Sequence, residues 1–184
     1  STDDTHSVVN RFENERITYV RHHSNSHLSA ARNTGIEHAD GDYVAFLDDD
    51  DEWRPQKLEK QISLFESVSD RVGLVYSWMD YCDGDTVVEK YQPSLSGDIF
   101  AAALSGQPIG SGSTLLVRSM VLQDIGGFDE SLKRGIYGDF IRRVCRSYDV
   151  DFIPEALVKY HIGHEADRIT SIDPESTEDA IQAN

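Results

Sequence analysis

The feature that most constrains this chain is a short apolar run that stops abruptly at four aspartates. Residues 43–47 are Tyr-Val-Ala-Phe-Leu, and Asp48, Asp49, Asp50 and Asp51 follow directly. An apolar run without alternation is typical of a strand that is buried on both faces of a helix-covered sheet. In open α/β sheets, ligands bind just beyond the carboxyl ends of the strands. The run therefore predicts an α/β fold with a candidate site where this strand ends.

The rest of the chain alternates between strand-like and helix-like segments. Short runs rich in β-branched and aromatic residues predict strands over 17–20, 72–79, 86–91, 113–117, 150–153 and 157–162. Apolar residues at helical spacing predict helices over 29–38, from Pro55 onwards, ahead of Gly126 and over 140–148. Turn residues at 82–85 join two strands into an antiparallel hairpin. This alternation predicts an α/β domain with a mainly parallel sheet flanked by helices.

The charge of the chain excludes one large class of function. Thirty-three acidic and seventeen basic residues give a formal net charge of −16 at pH 7. Such a charge repels a phosphate backbone, so we expect no nucleic-acid partner. Any bound phosphate then requires a metal ion or a locally basic pocket. The acidic excess also suits a halophilic protein, because salt screens the self-repulsion, and an ordinary acidic protein is the alternative.

Two further features bear on location. Cys82 and Cys145 are far apart and form no Cys-x-x-Cys pair, which favours a reducing cytoplasm over a disulfide scaffold or a zinc cluster. No stretch approaches the roughly 18 apolar residues of a membrane span, and the polar first residues do not resemble a signal peptide. We therefore expect a cytoplasmic protein, either free or at the inner face of the membrane.

The four aspartates are compatible with several chemistries. Hard divalent cations take clustered carboxylate oxygens and often share them with a pyrophosphate. Asp48 and Asp50 would point the same way in an extended chain, which favours them as a ligand pair. The alternatives are a solvated acidic turn and a phosphatase with an aspartate nucleophile, although Glu52 occupies the fifth position of the phosphatase motif. An EF-hand is excluded because Trp53 stands where that loop needs glycine.

Five segments resemble the core of one enzyme family when taken in order. They are 28–36 (Leu-Ser-Ala-Ala-Arg-Asn-Thr-Gly-Ile), 41–53 (ending in the aspartates, Glu and Trp), 55–59, 126–132 and 158–161. Their order and spacing resemble those of family 2 glycosyltransferases with the GT-A fold, over roughly residues 1–170. The resemblance implies a Rossmann-like, mainly parallel sheet flanked by helices.

The resemblance also implies how the domain begins. Family members open with an apolar strand, a helix and a second strand that ends in Asp-Asp-Gly-Ser, and this chain starts at the Ser of that phrase. We therefore expect residues 1–170 to form a GT-A domain that lacks its first strand or strands, followed by a polar tail over 171–184. An uncovered central edge invites pairing with another chain, so we expect self-association or poor order near residues 1–14.

The reaction that the resemblance implies is sugar transfer from a nucleotide-diphospho-sugar to an acceptor hydroxyl, and the resemblance favours inversion of the anomeric centre. The acceptor is a saccharide, a lipid-linked molecule or another hydroxyl compound, and Mn²⁺ or Mg²⁺ neutralises the leaving diphosphate. By the family pattern, the metal ligands are Asp50 and Asp48, with His161 or the nearby His164 as a further candidate. The residues that the same pattern assigns to the nucleotide are Arg32, Asn33, Asp48 and Asp49.

The catalytic base has two possible registers. Family members carry an Asp-x-Asp pair before the late amphipathic helix, where this chain has Arg134-Gly-Ile-Tyr-Gly-Asp. Without a gap, Tyr137 stands at the position of the catalytic aspartate; with a shift of two residues, Asp139 is the base. We take Asp139 as the predicted catalytic residue. The alternative is that Asp139 only caps the helix and that the chain is an inactive module that binds sugar nucleotides or carbohydrate.

Overall fold

The structure is a computed structural model that describes residues 4–12, 14–106 and 108–162. Its helices are α1 (Thr5–Val9), α2 (His27–His38), α3 (Lys57–Ser67), α4 (Phe100–Leu104), α5 (Ser119–Ile125) and α6 (Ile136–Cys145), with a 3₁₀ turn over Gly112–Thr114. Its strands are β1 (Tyr43–Ala45), β2 (Asp51–Trp53), β3 (Val72–Asp83), β4 (Thr86–Tyr91), β5 (Leu116–Arg118) and β6 (Asp149–His161). None of the described helices combines the length and the apolar composition that crossing a bilayer requires.

The six strands form one sheet in the order β1-β5-β3-β6-β2, and β4 pairs with the end of β3. β3 and β6 lie parallel from Val72 and Asp149 to Cys82 and His161, whereas the other described pairs are antiparallel. The sheet is therefore mixed, which corrects the expectation of a mainly parallel one. The reason is that three strands run in the reverse direction: β5 lies between β1 and β3, β4 folds back on the end of β3, and β2 pairs with β6. The strands β1, β3 and β6 all run in one direction.

The predicted strands at 150–153 and 157–162 are one continuous strand, β6. Its register against β3 shifts between Ile153 and Ala156, where Pro154 interrupts the strand-like sequence. Proline cannot donate to a strand ladder, so an irregularity of the pairing is the usual way to accommodate it. The strand-like sequence pattern is interrupted at Pro154, whereas the strand β6 continues through this residue.

Two predicted strands near the N-terminus differ from the structure. The segment 17–20 pairs with no strand in the described part of the chain, and Ile17 stays 47% exposed. The apolar run 43–47 contributes only its first three residues to β1, and Leu47 is 50% exposed. The described pairing of β1 is with β5 on one side. Self-association through the other edge of β1 stays a prediction.

Helices cover both faces of the sheet. On one face, α4, α5 and α6 pack against β3, and α6 buries Phe140, Ile141 and Val144 completely. Full burial of each such side chain contributes about 1.5–3 kcal/mol to stability. On the other face, Phe65 of α3 packs against Val75 of β3. The last residue of β1, Ala45, lies level with Leu116 of β5 and Val75 of β3, and the aspartates carry the chain from there to Asp51, opposite Tyr160 near the end of β6.

Gly73 marks a close approach between β3 and the surrounding layer. A Cβ atom there would lie 2.8 Å from Cγ2 of Val121 and 2.9 Å from Cβ of Tyr148. We expect Gly73→Ala to lower the free energy of unfolding by about 1–3 kcal/mol because it overpacks the core. The control Gly35→Ala, in α2, meets nothing within 4 Å and should raise stability by about 0.5–1 kcal/mol. Urea unfolding measures both, and an unchanged Gly73→Ala midpoint would contradict the packing.

Candidate active site

The four aspartates form a tight turn at the end of β1. The Asp51 amide donates to the Asp48 carbonyl oxygen at 3.1 Å, and Asp51 then begins β2 opposite Tyr160 of β6. Asp51 is 7% exposed, whereas Asp49 is exposed and Asp48 and Asp50 are half-buried. Because the chain turns, the four side chains occupy different surroundings, and the simple alternation of an extended strand does not describe them.

Arg32 of α2 is the charged partner of this turn. Its guanidinium forms a salt bridge with the Asp48 carboxylate. Only 9% of Arg32 is exposed. Three aromatic rings surround the guanidinium, with centroids at 4.7 Å (Tyr137), 5.6 Å (Phe46) and 5.7 Å (Phe128). Arg32 is therefore a buried member of the site and not an ordinary surface residue of α2.

The burial of this ion pair determines how much free energy is lost when one partner is removed. Removing one partner of a buried pair typically costs about 3–5 kcal/mol, because the remaining charge is left without compensation. The Asp48 side chain is 27% exposed, whereas that of Arg32 is 8% exposed. A ligand that approaches Asp48 from solvent therefore meets a guanidinium directly behind the carboxylate.

The 3₁₀ turn Gly112–Thr114 holds the aspartate turn from a distant part of the chain. The Asp48 amide donates to the Ser113 hydroxyl at 3.0 Å, and the Trp53 indole donates to the Ser113 carbonyl oxygen at 2.8 Å. Ser113 thus joins the end of β1 to the end of β2. Since 65 residues separate Asp48 from Ser113, the position of the aspartates depends on tertiary structure.

A buried lysine on α3 supports the 3₁₀ turn. Lys57 is 0% exposed, donates to Gln61 Oε1 at 2.7 Å and lies 4.3 Å from the Trp53 ring centroid. Gln61 in turn donates to the carbonyl oxygens of Thr114 at 2.9 Å and Val75 at 3.1 Å. Burial lowers the pKa of the Lys57 amine to about 7. Lys57 therefore orients Gln61, and near pH 7 a larger fraction of its amine is neutral than in a surface lysine.

Asn33 contacts a protein loop next to the Arg32 rings. Its Nδ2 donates to the Phe128 carbonyl oxygen at 2.9 Å and to the Glu130 carboxylate at 2.8 Å, and its Oδ1 accepts from the Phe128 amide at 2.7 Å. A Cβ atom on Gly127 would lie 2.3 Å from that Oδ1. These contacts position Phe128 against Arg32, and the predicted contact of Asn33 with a nucleotide stays a prediction.

Asp139 lies in the first turn of α6 and pairs with Arg143, its Oδ2 lying 2.8 Å from the arginine Nε. Arg143 also donates to the carbonyl oxygens of Ile125 at 3.0 Å and Gly127 at 2.7 Å. The N-cap of α6 is Gly135, so Asp139 is not the helix cap. These contacts tie α6 to the end of α5, and the role of Asp139 as a base stays a prediction.

Tyr137, two residues before Asp139, is the α6 side chain that reaches the aspartate turn. Its ring lies over the Arg32 guanidinium and packs edge-to-face against Phe128, with centroids 5.6 Å apart. Burial, assisted by the charges of Asp48 and Asp51, raises the pKa of the hydroxyl above its ordinary value although Arg32 opposes the shift. The Tyr137 hydroxyl therefore stays protonated and is able to donate a hydrogen bond.

His161, the last residue of β6, lies beside β2. Its Nε2 is 3.3 Å from Glu52 Oε1, and Lys159 Nζ is 3.1 Å from Glu52 Oε2. The hydrogen bond and charge of Lys159, followed by those of His161, lower the pKa of Glu52. A metal contact of His161 stays a prediction, and His164 lies outside the described residues.

A cleft of about 410 Å³ opens between α2 and the end of β1, and its lining includes Arg32, Asp48 and Asp49. Within the described ranges, no group of three or more His, Cys, Asp or Glu side chains is placed to hold a metal ion. Asp48 and Asp50 nevertheless offer carboxylate oxygens from one turn. That set suits Mg²⁺ or a similar hard ion, which commonly keeps one or two protein carboxylates and takes phosphate oxygens as further ligands.

Three members of this site were not predicted from the sequence: Ser113, Lys57 and Gln61. Ser113 was assigned to a predicted strand, and the small residues around it were the only signal of a turn that contacts Asp48. Lys57 and Gln61 carry no signal of burial, because they occupy polar positions of an amphipathic helix. Only the tertiary structure brings them beneath the 3₁₀ turn.

Several known proteins are similar in sequence to this chain. The protein-family model described as glycosyl transferase family 2 matches residues 1–126. An uncharacterized glycosyltransferase of Methanocaldococcus jannaschii is 29% identical over 168 residues, which are 87% of this chain and 56% of that protein. The E. coli enzyme WfgD, named UDP-Glc:α-D-GlcNAc-diphosphoundecaprenol β-1,3-glucosyltransferase, is 32% identical over 91 residues, 50% of this chain and 35% of its own. The chain thus spans about half or less of these relatives.

A solved structure shares the fold. S. aureus TarS 1–349 in complex with UDP-GlcNAc superposes with a TM-score of 0.75 and 18% identity, covering 94% of this chain and 50% of that one. At this identity the likeness concerns the fold alone. It confirms the α/β class with flanking helices that the sequence predicted, of the GT-A type.

The buried amine of Lys57 predicts a pH dependence of stability. Its pKa falls from 10.5 to about 7 in the folded chain, so the unfolded chain binds more protons between these values. The free energy of unfolding should therefore rise with pH in this window, by roughly 1–3 kcal/mol between about pH 6.5 and 9.5. Lys57→Met should remove this rise, whereas Lys90→Met, at an exposed position, should keep it. Equal pH slopes in urea unfolding of the two variants would contradict the assignment.

Proposed function

The chain belongs to glycosyl transferase family 2, and from this membership we propose that it moves a sugar from a UDP-sugar to an acceptor hydroxyl. The observation that carries the proposal is the buried Arg32 guanidinium behind the Asp48 carboxylate. A chain with a net charge of −16 needs such a local positive charge to bind an anionic diphosphate. The UDP-GlcNAc complex of TarS and the UDP-Glc in the name of WfgD support UDP-sugars as the class of donor substrate.

The proposed cofactor is a Mn²⁺ or Mg²⁺ ion that Asp50 and Asp48 hold together with the diphosphate. When bound, such an ion neutralises the charge that develops on the leaving diphosphate. Asp49 is exposed on the same turn and adds negative charge near the ion. His161 Nε2 contacts Glu52, so His161 would join this set either through Nδ1 or after giving up that contact.

The proposed roles of the side chains follow from the bonds that change. The acceptor oxygen bonds to the anomeric carbon of the sugar while the bond from that carbon to the diphosphate oxygen breaks, and the electron pair leaves with UDP. Arg32 orients the diphosphate, and Asp139 takes the proton of the acceptor hydroxyl. Attack on the face opposite the leaving group inverts the anomeric carbon. Asp139 Oδ2 contacts Arg143, so either Oδ1 takes the proton or Asp139 exchanges that contact for the acceptor hydroxyl, since a general base acts at hydrogen-bond distance.

The proposed acceptor is a saccharide hydroxyl, including one on a lipid-linked glycan at the inner face of the membrane. The name of WfgD gives a diphosphoundecaprenol-linked sugar as its acceptor. The net charge of −16 opposes attraction to an anionic lipid surface. Contact with a membrane would therefore come through the acceptor itself.

A second candidate function is binding of a sugar nucleotide without transfer. The observation that favours it is the placement of Tyr137 in the site while Asp139 pairs with Arg143. Release of UDP from UDP-glucose and from UDP-N-acetylglucosamine, with and without Mn²⁺, separates the two functions. An enzyme releases UDP, whereas a binding module binds the nucleotide sugar intact. The phosphatase interpretation is set aside because residues 1–126 match the glycosyl transferase model.

The metal proposal is tested by comparing two neighbouring carboxylates. Asp50→Ala should lower the affinity for UDP in the presence of Mn²⁺ by about tenfold or more, because it removes a proposed ligand. Glu52→Ala should change that affinity by less than about twofold, because Glu52 pairs with Lys159. Calorimetric titration with UDP in the presence of Mn²⁺, repeated in EDTA, measures the metal-dependent part of the UDP affinity. Equal losses in the two variants would rule out the assignment.

The base proposal is tested with a substitution that preserves size. Asp139→Asn should reduce the rate of UDP release by about 10²–10⁴-fold, the usual contribution of a general base, and leave UDP affinity nearly unchanged. The matched control Asp124→Asn alters an exposed carboxylate on α5 that accepts from Tyr148, and it should leave both quantities unchanged. An unaltered rate in Asp139→Asn would assign Asp139 to holding Arg143 alone.

A further inference from the structure

Tyr137 reaches the site through a gap that only a glycine can leave. A Cβ atom on Gly112 would lie 1.7 Å from the Tyr137 hydroxyl oxygen, so the hydroxyl occupies the space beside the bare backbone of the 3₁₀ turn. The ring lies over Arg32 at 4.7 Å from the guanidinium carbon. The hydroxyl and the guanidinium are thus held next to the aspartate turn by the same packing.

Two hydrogen-bond donors at this place are buried without an acceptor. Within the described chain, neither the Tyr137 hydroxyl nor Arg32 Nε has a hydrogen-bond partner, and the hydroxyl of Ser111, next to Gly112, also has none. Folded proteins pair nearly all buried polar atoms, and an unpaired one costs about 1–3 kcal/mol. The Tyr137 ring contacts the Arg32 guanidinium, so the two unpaired donors belong to side chains that touch. They indicate a place for an oxygen atom that the protein itself does not supply.

We propose that the Tyr137 hydroxyl and Arg32 Nε together bind one anionic oxygen of the UDP diphosphate. This inference rests on the proposed function, and it adds Tyr137 to the residues that contact the nucleotide sugar. The adjacent guanidinium favours a negatively charged oxygen over a neutral one. A hydroxyl that stays protonated donates to such an oxygen, so Tyr137 is a binding residue and does not replace the general base.

Tyr137→Phe removes only the hydroxyl oxygen and leaves the ring over Arg32. We expect it to weaken UDP binding by about tenfold or more, as for a lost hydrogen bond to a charged group. The melting temperature of the free protein should not fall, because the hydroxyl has no partner to lose. The matched control is Tyr76→Phe: the Tyr76 hydroxyl donates to the Leu95 carbonyl oxygen and accepts from its amide, both at 2.9 Å. That variant should melt at a lower temperature and bind UDP as the wild type does.

Calorimetric titration of wild type and both variants with UDP, and separately with inorganic pyrophosphate, decides the inference. Wild-type affinity for both ligands in Tyr137→Phe would overturn it. If the wild type binds pyrophosphate but not UDP, the UDP-sugar proposal fails, and a loss of pyrophosphate affinity in Tyr137→Phe still supports the diphosphate contact. If the wild type binds neither ligand, both proposals fall. A lower melting temperature in Tyr137→Phe with unchanged affinity would make the hydroxyl structural.

Discussion

The buried ion pair between Arg32 and Asp48 is the interaction on which the candidate site depends. It joins α2 to the turn after β1, and the rings that surround the guanidinium come from the residue after β1, the loop after α5, and α6. A buried charge is stable only while its partner and surroundings stay in place. The neighbouring contacts follow from that need: Asn33 fixes the loop that carries Phe128, and Arg143 ties the start of α6 to the end of α5.

A second set of contacts fixes the aspartates from the other side. The Ser113 hydroxyl accepts from the Asp48 amide, and the Trp53 indole donates to the Ser113 carbonyl oxygen. Gln61 donates to the Thr114 carbonyl oxygen and itself accepts from Lys57. These positioning contacts use the Asp48 amide, the Ser113 hydroxyl and the carbonyl oxygens of Ser113 and Thr114, and none of them uses the Asp48 carboxylate. A turn of four like charges repels itself, and its shape here is imposed by the α3 layer and the 3₁₀ turn.

The sequence predicted the α/β class, the place of the candidate site and the amphipathic helix α6, because local patterns of apolar and polar residues indicate each of them. The apolar run before Asp48 marked the strand end, and the spacing of Phe140, Ile141 and Val144 marked a helix face. The reversed strand β5 was not predictable, since three residues show no direction until their neighbours are known. For the same reason, Lys57 looked like a surface residue. Asp139 and Tyr137 lie two positions apart in sequence, and only tertiary packing shows which one reaches Arg32.

The long separation in sequence between the parts of the site has a consequence for the order of folding. Asn33 contacts Phe128 across 95 residues, and Asp48 contacts Ser113 across 65. Contacts between distant residues form late, because the intervening chain must first be brought together. A ribosome-bound chain that ends before Tyr137 carries Arg32 and Asp48 without the α6 ring that covers the guanidinium. The site is therefore assembled only after α6 has been synthesised, and a chaperone that binds nascent chains would meet Arg32 while it is still open to water.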